Sequence, residues 1–200
     1  MTLLEQIARA DERGLAASGL ACLDRCLPPP EDGGDPEPLR PLWASCESGA
    51  QWAARLDAVH AALERAAPAG GTADGGGTAA RIRALLGAAP RDFAAGPLRA
   101  WADACSLLAL DVHRELDFPA DGAQELELYR AGGAAGHGPL VARELLRQTE
   151  ILETLAETDG TVGGATGLRR VLDLSAEGRR VLRAVASRRA RARSGDVSPA

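Results

Sequence analysis

PLRAWADACSLLALDVHREL, residues 97–116, opens on a proline and carries Leu98, Trp101, Cys105, Leu108 and Val112 along one stripe. Successive gaps of three, four, three and four residues keep those side chains on a single helical face. A proline at a first helical position costs no intrahelical hydrogen bond. The stretch therefore predicts a long amphipathic helix whose apolar face needs other helices to cover it.

The neighbouring sequence offers such helices. Thr2 followed by Glu5 is a capping box and starts a helix expected to run to Leu27, with Leu4, Ile7, Leu15, Gly19, Cys22, Leu23 and Cys26 as its stripe. Three prolines at 28–30 end it. A second helix is expected from Pro41 to Ala67 on Trp52, Leu56, Val59, Leu63 and Ala66. Short helices are expected at 79–88 and 123–131, and a long one from Pro139 to about Glu157. TDGTVGGATG (158–167) should break the chain, and Ser175 should cap a last helix ending near Arg193. Residues 28–38, 68–78 and 132–138 read as linkers. The expected fold is all-α: a single helical domain over 1–185, built as a bundle of about four long amphipathic helices plus short ones. Residues 186–200 read as a basic, disordered tail.

Composition agrees. The 200 residues include 41 Ala and 28 Leu but only eight Val, three Ile and six aromatics. Ala and Leu favour helix, whereas strands draw on β-branched and aromatic residues. All 23 basic residues are Arg, and Lys and Asn are missing altogether. That usage is the imprint of a GC-rich genome such as an actinobacterium's, so arginine by itself is not a sign of phosphate recognition. The first residues lack the apolar core of a secretory signal, and no run approaches the ~20 apolar residues of a membrane span. The expectation is a cytoplasmic protein with four reduced cysteines.

Charge is polarised. Residues 1–160 carry a net charge of −11 and residues 161–200 a net of +6, within an overall −5. The basic end, GRRVLRAVASRRARAR, offers Arg179, Arg180, Arg183, Arg188 and Arg189 as candidate contacts to a partner protein or to nucleic acid.

Other polar groupings suggest chemistry less well. Cys22 and Cys26, four residues apart, share a helix face with Leu15, Gly19 and Leu23 and read as buried core thiols. As metal ligands they would need Cys46, Cys105 or His60 from other helices, and zinc sites usually bring two close pairs. DVHRELD (111–117) reads as a solvated helix side with surface pairs Asp111–Arg114 and His113–Asp117. As a general base His113 would need a nucleophile, and only Ser106 lies on a similar face. DAVH (57–60) supplies a single acid-x-x-His step, with Asp in place of Glu, where a carboxylate-bridged di-metal bundle needs two. The glycine loops lack the lysine and the preceding strand of a phosphate loop. No catalytic residue, cofactor or metal site is assigned.

Residues 122–183 carry a second pattern. AQELELYRA, PLVARELLRQTEIL, ETLAETDGTVGGATGLRRVLDL and LSAEGRRVL follow one another as first helix, recognition helix, hairpin wing and following helix. In this order the segment resembles a winged-helix repressor of the MarR type. That resemblance implies an α+β fold with a hairpin near 155–174, Arg143 and Arg147 in the DNA major groove, and Arg169 and Arg170 in the wing. The connecting turn GGAAGHG is long for the motif, and Glu144 and Glu150 neutralise the would-be recognition helix.

The sequence thus points to a non-catalytic cytoplasmic protein acting by macromolecular binding in regulation, with another protein as partner, nucleic acid as the second choice and no membrane. Seams this regular predict self-association as a homodimer. The alternatives are a winged-helix DNA-binding regulator and a thiol–metal-binding helical protein.

Overall fold

In the computed structural model, the structure describes residues 1–29, 35–66, 77–117, 129–132, 138–158 and 164–195. Among them every regular element is a helix: α1 (Leu3–Arg9), α2 (Glu12–Cys26), α3 (Arg40–Trp43), α4 (Trp52–Arg65), α5 (Thr78–Gly87), α6 (Ala95–Leu116), α7 (Pro139–Glu157) and α8 (Gly164–Gly195). The chain is an all-α bundle. No helix among the described residues is long and apolar enough to cross a membrane.

The bundle is organised around α2. Every residue from Arg13 to Leu27 is buried. α2 packs most extensively on α6 and then on α8, with α7, α5 and α3 closing the remaining sides. Its small residues allow this. A Cβ on Gly19 would stand 2.6 Å from the Trp101 ring, so α2 and α6 approach more closely there than any side chain permits. The predicted α6 stripe is buried throughout, at Leu98, Trp101, Cys105, Leu108 and Val112. Trp101 also meets Trp52 edge-on at 6.0 Å, and Trp52 meets Phe93 at 5.5 Å, which ties α4 to α6 and to the connection between α5 and α6.

The first expected helix is in fact two. Thr2 and Glu5 form the capping box, but Ala10 is extended and Asp11 caps a new helix by accepting from the Gly14 N–H at 2.7 Å. An aspartate three residues before a glycine competes with helix continuation and wins. The buried leucine of α1 is Leu3 rather than Leu4.

The second expected helix is also divided. α3 is a single turn, and α4 begins at Trp52 after turns in which Gly49 (φ +70°) and Gln51 (φ +60°) are left-handed. Gly49 has no alternative, because the Phe93 ring lies where a Cβ would stand.

The largest departure is α8. It begins at Gly164 and runs unbroken through 175 and through 186–195. Ser175 is therefore a mid-helix residue, buried, with Oγ 3.3 Å from Ala21 O and 3.2 Å from Asp24 Oδ2. The chain leaves α7 at Thr158 as expected, but Gly164 and Gly167 already belong to α8 and serve close packing: Gly164 lies against Glu47, and Gly167 against Thr158. This helix, with α7 continuing through Glu157, occupies the segment where the winged-helix resemblance requires a hairpin. Among the described residues there is no strand, and 164–174 are helical where the second wing strand is expected, so the winged-helix alternative is not supported. Most of the expected helix at 123–131, and parts of all three linkers, lie outside the described residues.

Candidate functional site

A helix buried on all sides must satisfy its own charges inside the bundle, and α2 carries three such residues. Arg13 donates to Leu155 O, Thr158 O and Gly164 O, at 3.4, 3.5 and 2.6 Å, tying the end of α7 to the start of α8. Asp24 pairs with Arg179 at 3.0 Å. Burial outweighs that arginine and leaves the Asp24 carboxyl above its ordinary value.

Arg25 meets Glu144 of α7. Its Nη2 and Nε donate to the two carboxylate oxygens at 2.5 and 3.1 Å, and both side chains are fully buried. Burial pushes the Glu144 carboxyl up, but Arg25 and His113 reverse this and hold it at about 2. Glu144 is also reached by Gln148 Nε2 at 2.9 Å, Arg147 Nη1 at 3.5 Å and His113 Nε2 at 3.5 Å. Ser106 Oγ donates to Gln148 Oε1 at 2.6 Å. Gly178 of α8 makes room for this cluster, since a Cβ there would stand 2.5 Å from Arg25 Cδ and 2.9 Å from Arg147 Nε.

His113 is thus not on a solvated face but 3 % exposed. Its Nδ1 lies 2.7 Å from Ala109 O, a contact that requires the proton on Nδ1. Burial lowers its pKa, against the pull of Glu144. The expected His113–Asp117 pair is replaced by something more useful. Asp117 accepts the Leu140 and Val141 N–H groups at 2.9 and 3.0 Å and caps α7 across the loop. Gly138, at the capping position itself, leaves space for that carboxylate. The other expected surface pair, Asp111–Arg114, is present at 2.6 Å and is joined by Arg81.

The polar core has the ingredients of acid–base chemistry but not the arrangement. Ser106 donates to an amide rather than to a base. The cavity beside Arg25, Cys22, Ser106 and Gln148 is about 10 Å³, on the order of one water molecule. It has no space for a substrate, and the cluster works as a polar lock between α2, α6 and α7.

All four cysteines are buried free thiols, and burial pushes Cys22 up to about 12. Such a group is a poor thiolate ligand. His60 is half-exposed on α4 beside Glu64, and Asp57 of the same DAVH step binds Arg91 instead. Among the described residues no three His, Cys, Asp or Glu side chains gather as a metal-ligand set.

The five arginines singled out by sequence separate into two groups. Arg179 binds Asp24 and approaches Glu37 at 3.8 Å, and Arg183 donates to Leu27 O and Pro28 O, so both fasten α8 to the end of α2. Arg180 and Arg188 are exposed, and among the described residues neither has an ion pair. Arg189 donates to Glu115 O at the end of α6. Leu182 is the last buried residue of α8 among the described ones. Beyond it the helix continues as an arm whose exposed side chains include Arg188 and Arg191.

Of the four arginines assigned by the winged-helix resemblance, Arg143 and Arg169 are exposed and the other two have other work. Arg147 lies in the Glu144 cluster and Arg170 pairs with Glu150 at 3.5 Å. Compared with known proteins, the chain matches no family model, no curated protein and no solved structure.

Proposed function

We propose that this is a non-catalytic binding protein of the cytoplasm, regulatory in role, whose docking element is the C-terminal arm of α8. One observation carries the reading: past Leu182 no described residue of α8 is buried and Arg188 and Arg191 face outward, with no acidic residue after Glu177 before the chain reaches Asp196. A guanidinium fork suits a carboxylate as well as a phosphate. A protein partner is favoured over nucleic acid because residues 1–160 carry a net −11, which repels an extended polyanion but not a local acidic patch.

Extract capture with the full chain and with Arg188→Glu/Arg191→Glu as baits tests this. The wild-type chain should retain a protein that the variant loses while its thermal unfolding is unchanged. Identical retention by both baits would overturn the assignment of the arm. Arm-dependent binding of duplex DNA with a steep salt dependence would move the partner class to nucleic acid.

A further inference from the structure

α8 has 32 residues and is about 48 Å long, and its two ends lie in opposite electrostatic surroundings. Beside its N-terminal end, the elbow between α1 and α2 and the last turns of α7 enclose a groove of about 300 Å³. Leu152 and Leu155 supply apolar wall, and Asp11, Glu153 and Glu157 supply carboxylates against the single guanidinium of Arg9. Glu157 is exposed and has no ion pair among the described residues, and Asp11 uses one oxygen on the Gly14 N–H.

Gln6 also lines the groove and is only 4 % exposed. Its Nε2 already donates to Glu153 Oε1 at 3.0 Å, while its Oε1 is buried with no hydrogen-bond partner. An orphaned acceptor among carboxylates calls for a cationic N–H donor on a partly apolar stem.

Such donors stand at the other end of the same molecule. Arg180, Arg188 and Arg191 fall within an arc of about 80° on the outward side of α8 at 100° per residue. The helix that carries them is fastened to the bundle by Arg179 and Arg183, and Arg188 and Arg191 lie roughly 36–40 Å along it from Gly164.

We propose that the protein self-associates head to tail, the arginine arm of one copy seated in the acidic groove of the next. This rests on the arm being the docking element and names a second copy as its partner. Guanidinium N–H groups would donate to Glu157, Glu153 and Gln6 Oε1, and the arm's alanines would lie against Ala10 and Ala156. The contact joins two different surfaces, so each copy keeps a free groove or a free arm and growth continues with concentration.

Light scattering on the full chain tests this. At low ionic strength the weight-average mass should at least double from 20.7 kDa as concentration rises. It should return to the single-chain value in about 0.5 M salt, where charges are screened within a few ångströms. Glu157→Arg alone and Arg188→Glu/Arg191→Glu alone should each stay monomeric. Mixing those two variants should restore association, because the intact arm of the first meets the intact groove of the second. A single-chain mass at every concentration in low salt would overturn the proposal, as would association that survives Glu157→Arg. A wild-type monomer whose arm variant still loses an extract partner would remove self-association and leave the binding role of the arm standing.

Discussion

Arg25 and Glu144 lie 119 residues apart in the chain and 2.5 Å apart in space, each fully withdrawn from solvent. The pair joins the central helix to α7, Gln148 and Arg147 complete the coordination of the carboxylate, and the His113 ring lies beside it. A buried ion pair adds little net stability over apolar residues of the same shape, but either half left alone is expensive. Arg25→Met and Glu144→Leu should each destabilise the protein by ~3–5 kcal/mol, and the double variant should recover much of that loss. Urea unfolding of all four chains measures the coupling. Additive losses would mean the two residues act independently.

His113 gives the fold a pH dependence with a definite sign. Its native pKa is below the ordinary 6.5 because burial disfavours the imidazolium. Below 6.5 the unfolded chain therefore binds more protons than the native one, and stability falls as pH falls. Glu144, held at about 2, adds a second loss below its ordinary 4.5. Asp24, raised above 3.8 by burial, works in the opposite direction near its own range. The histidine effect is read most cleanly between about pH 5 and 6.5. His113→Gln keeps a donor for Ala109 O without titrating, and should flatten the stability profile across that window. An unchanged slope would assign the acid sensitivity to other groups.

Two glycines set helix-to-helix distances. Gly19→Ala would press a methyl into the Trp101 ring, and Gly178→Ala would displace Arg25 and Arg147. Each should cost ~1–3 kcal/mol despite the gain in helix propensity. Thermal denaturation checks the sign, and a stabilised variant at either position would contradict the packing described.

Asp117 caps α7 from outside that helix, in place of a capping side chain that Gly138 lacks. Asp117→Ala should cost ~1 kcal/mol and loosen the first turn of α7. Amide exchange at Leu140 and Val141 reports it directly. Protection unchanged in the variant would show that those N–H groups have another partner.

The burial of α6 could be foreseen from its stripe, because one apolar face against a charged one has a single stable orientation. The burial of Cys22 and Cys26 followed from their place among Leu15, Gly19 and Leu23. What stayed hidden was the second half of α2. An amphipathic reading gives every helix a wet side, whereas α2 has none, and Asp24 and Arg25 are buried with the rest. The signal lay in the run of small residues at Ala16, Ala17, Ser18, Gly19 and Ala21, which lets neighbours close in from every direction. The partner of Arg25 was not legible, since nothing local links it to Glu144. The break at Asp11 could have been read from aspartate followed by Gly14, a stronger capping signal than the continuing stripe. The continuity of α8 could not, because glycine marks both loop and close packing, and only Glu47 and Thr158 decide between them.

Leu182, the last buried residue of α8 among those described, separates a core-forming part from the docking arm. A chain ending at Val185 tests this most directly by thermal unfolding beside the full-length protein. The account predicts coincident transitions, with melting temperatures equal within measurement. A drop of several degrees would mean the arm belongs to the folded core and would contradict its assignment as a docking element.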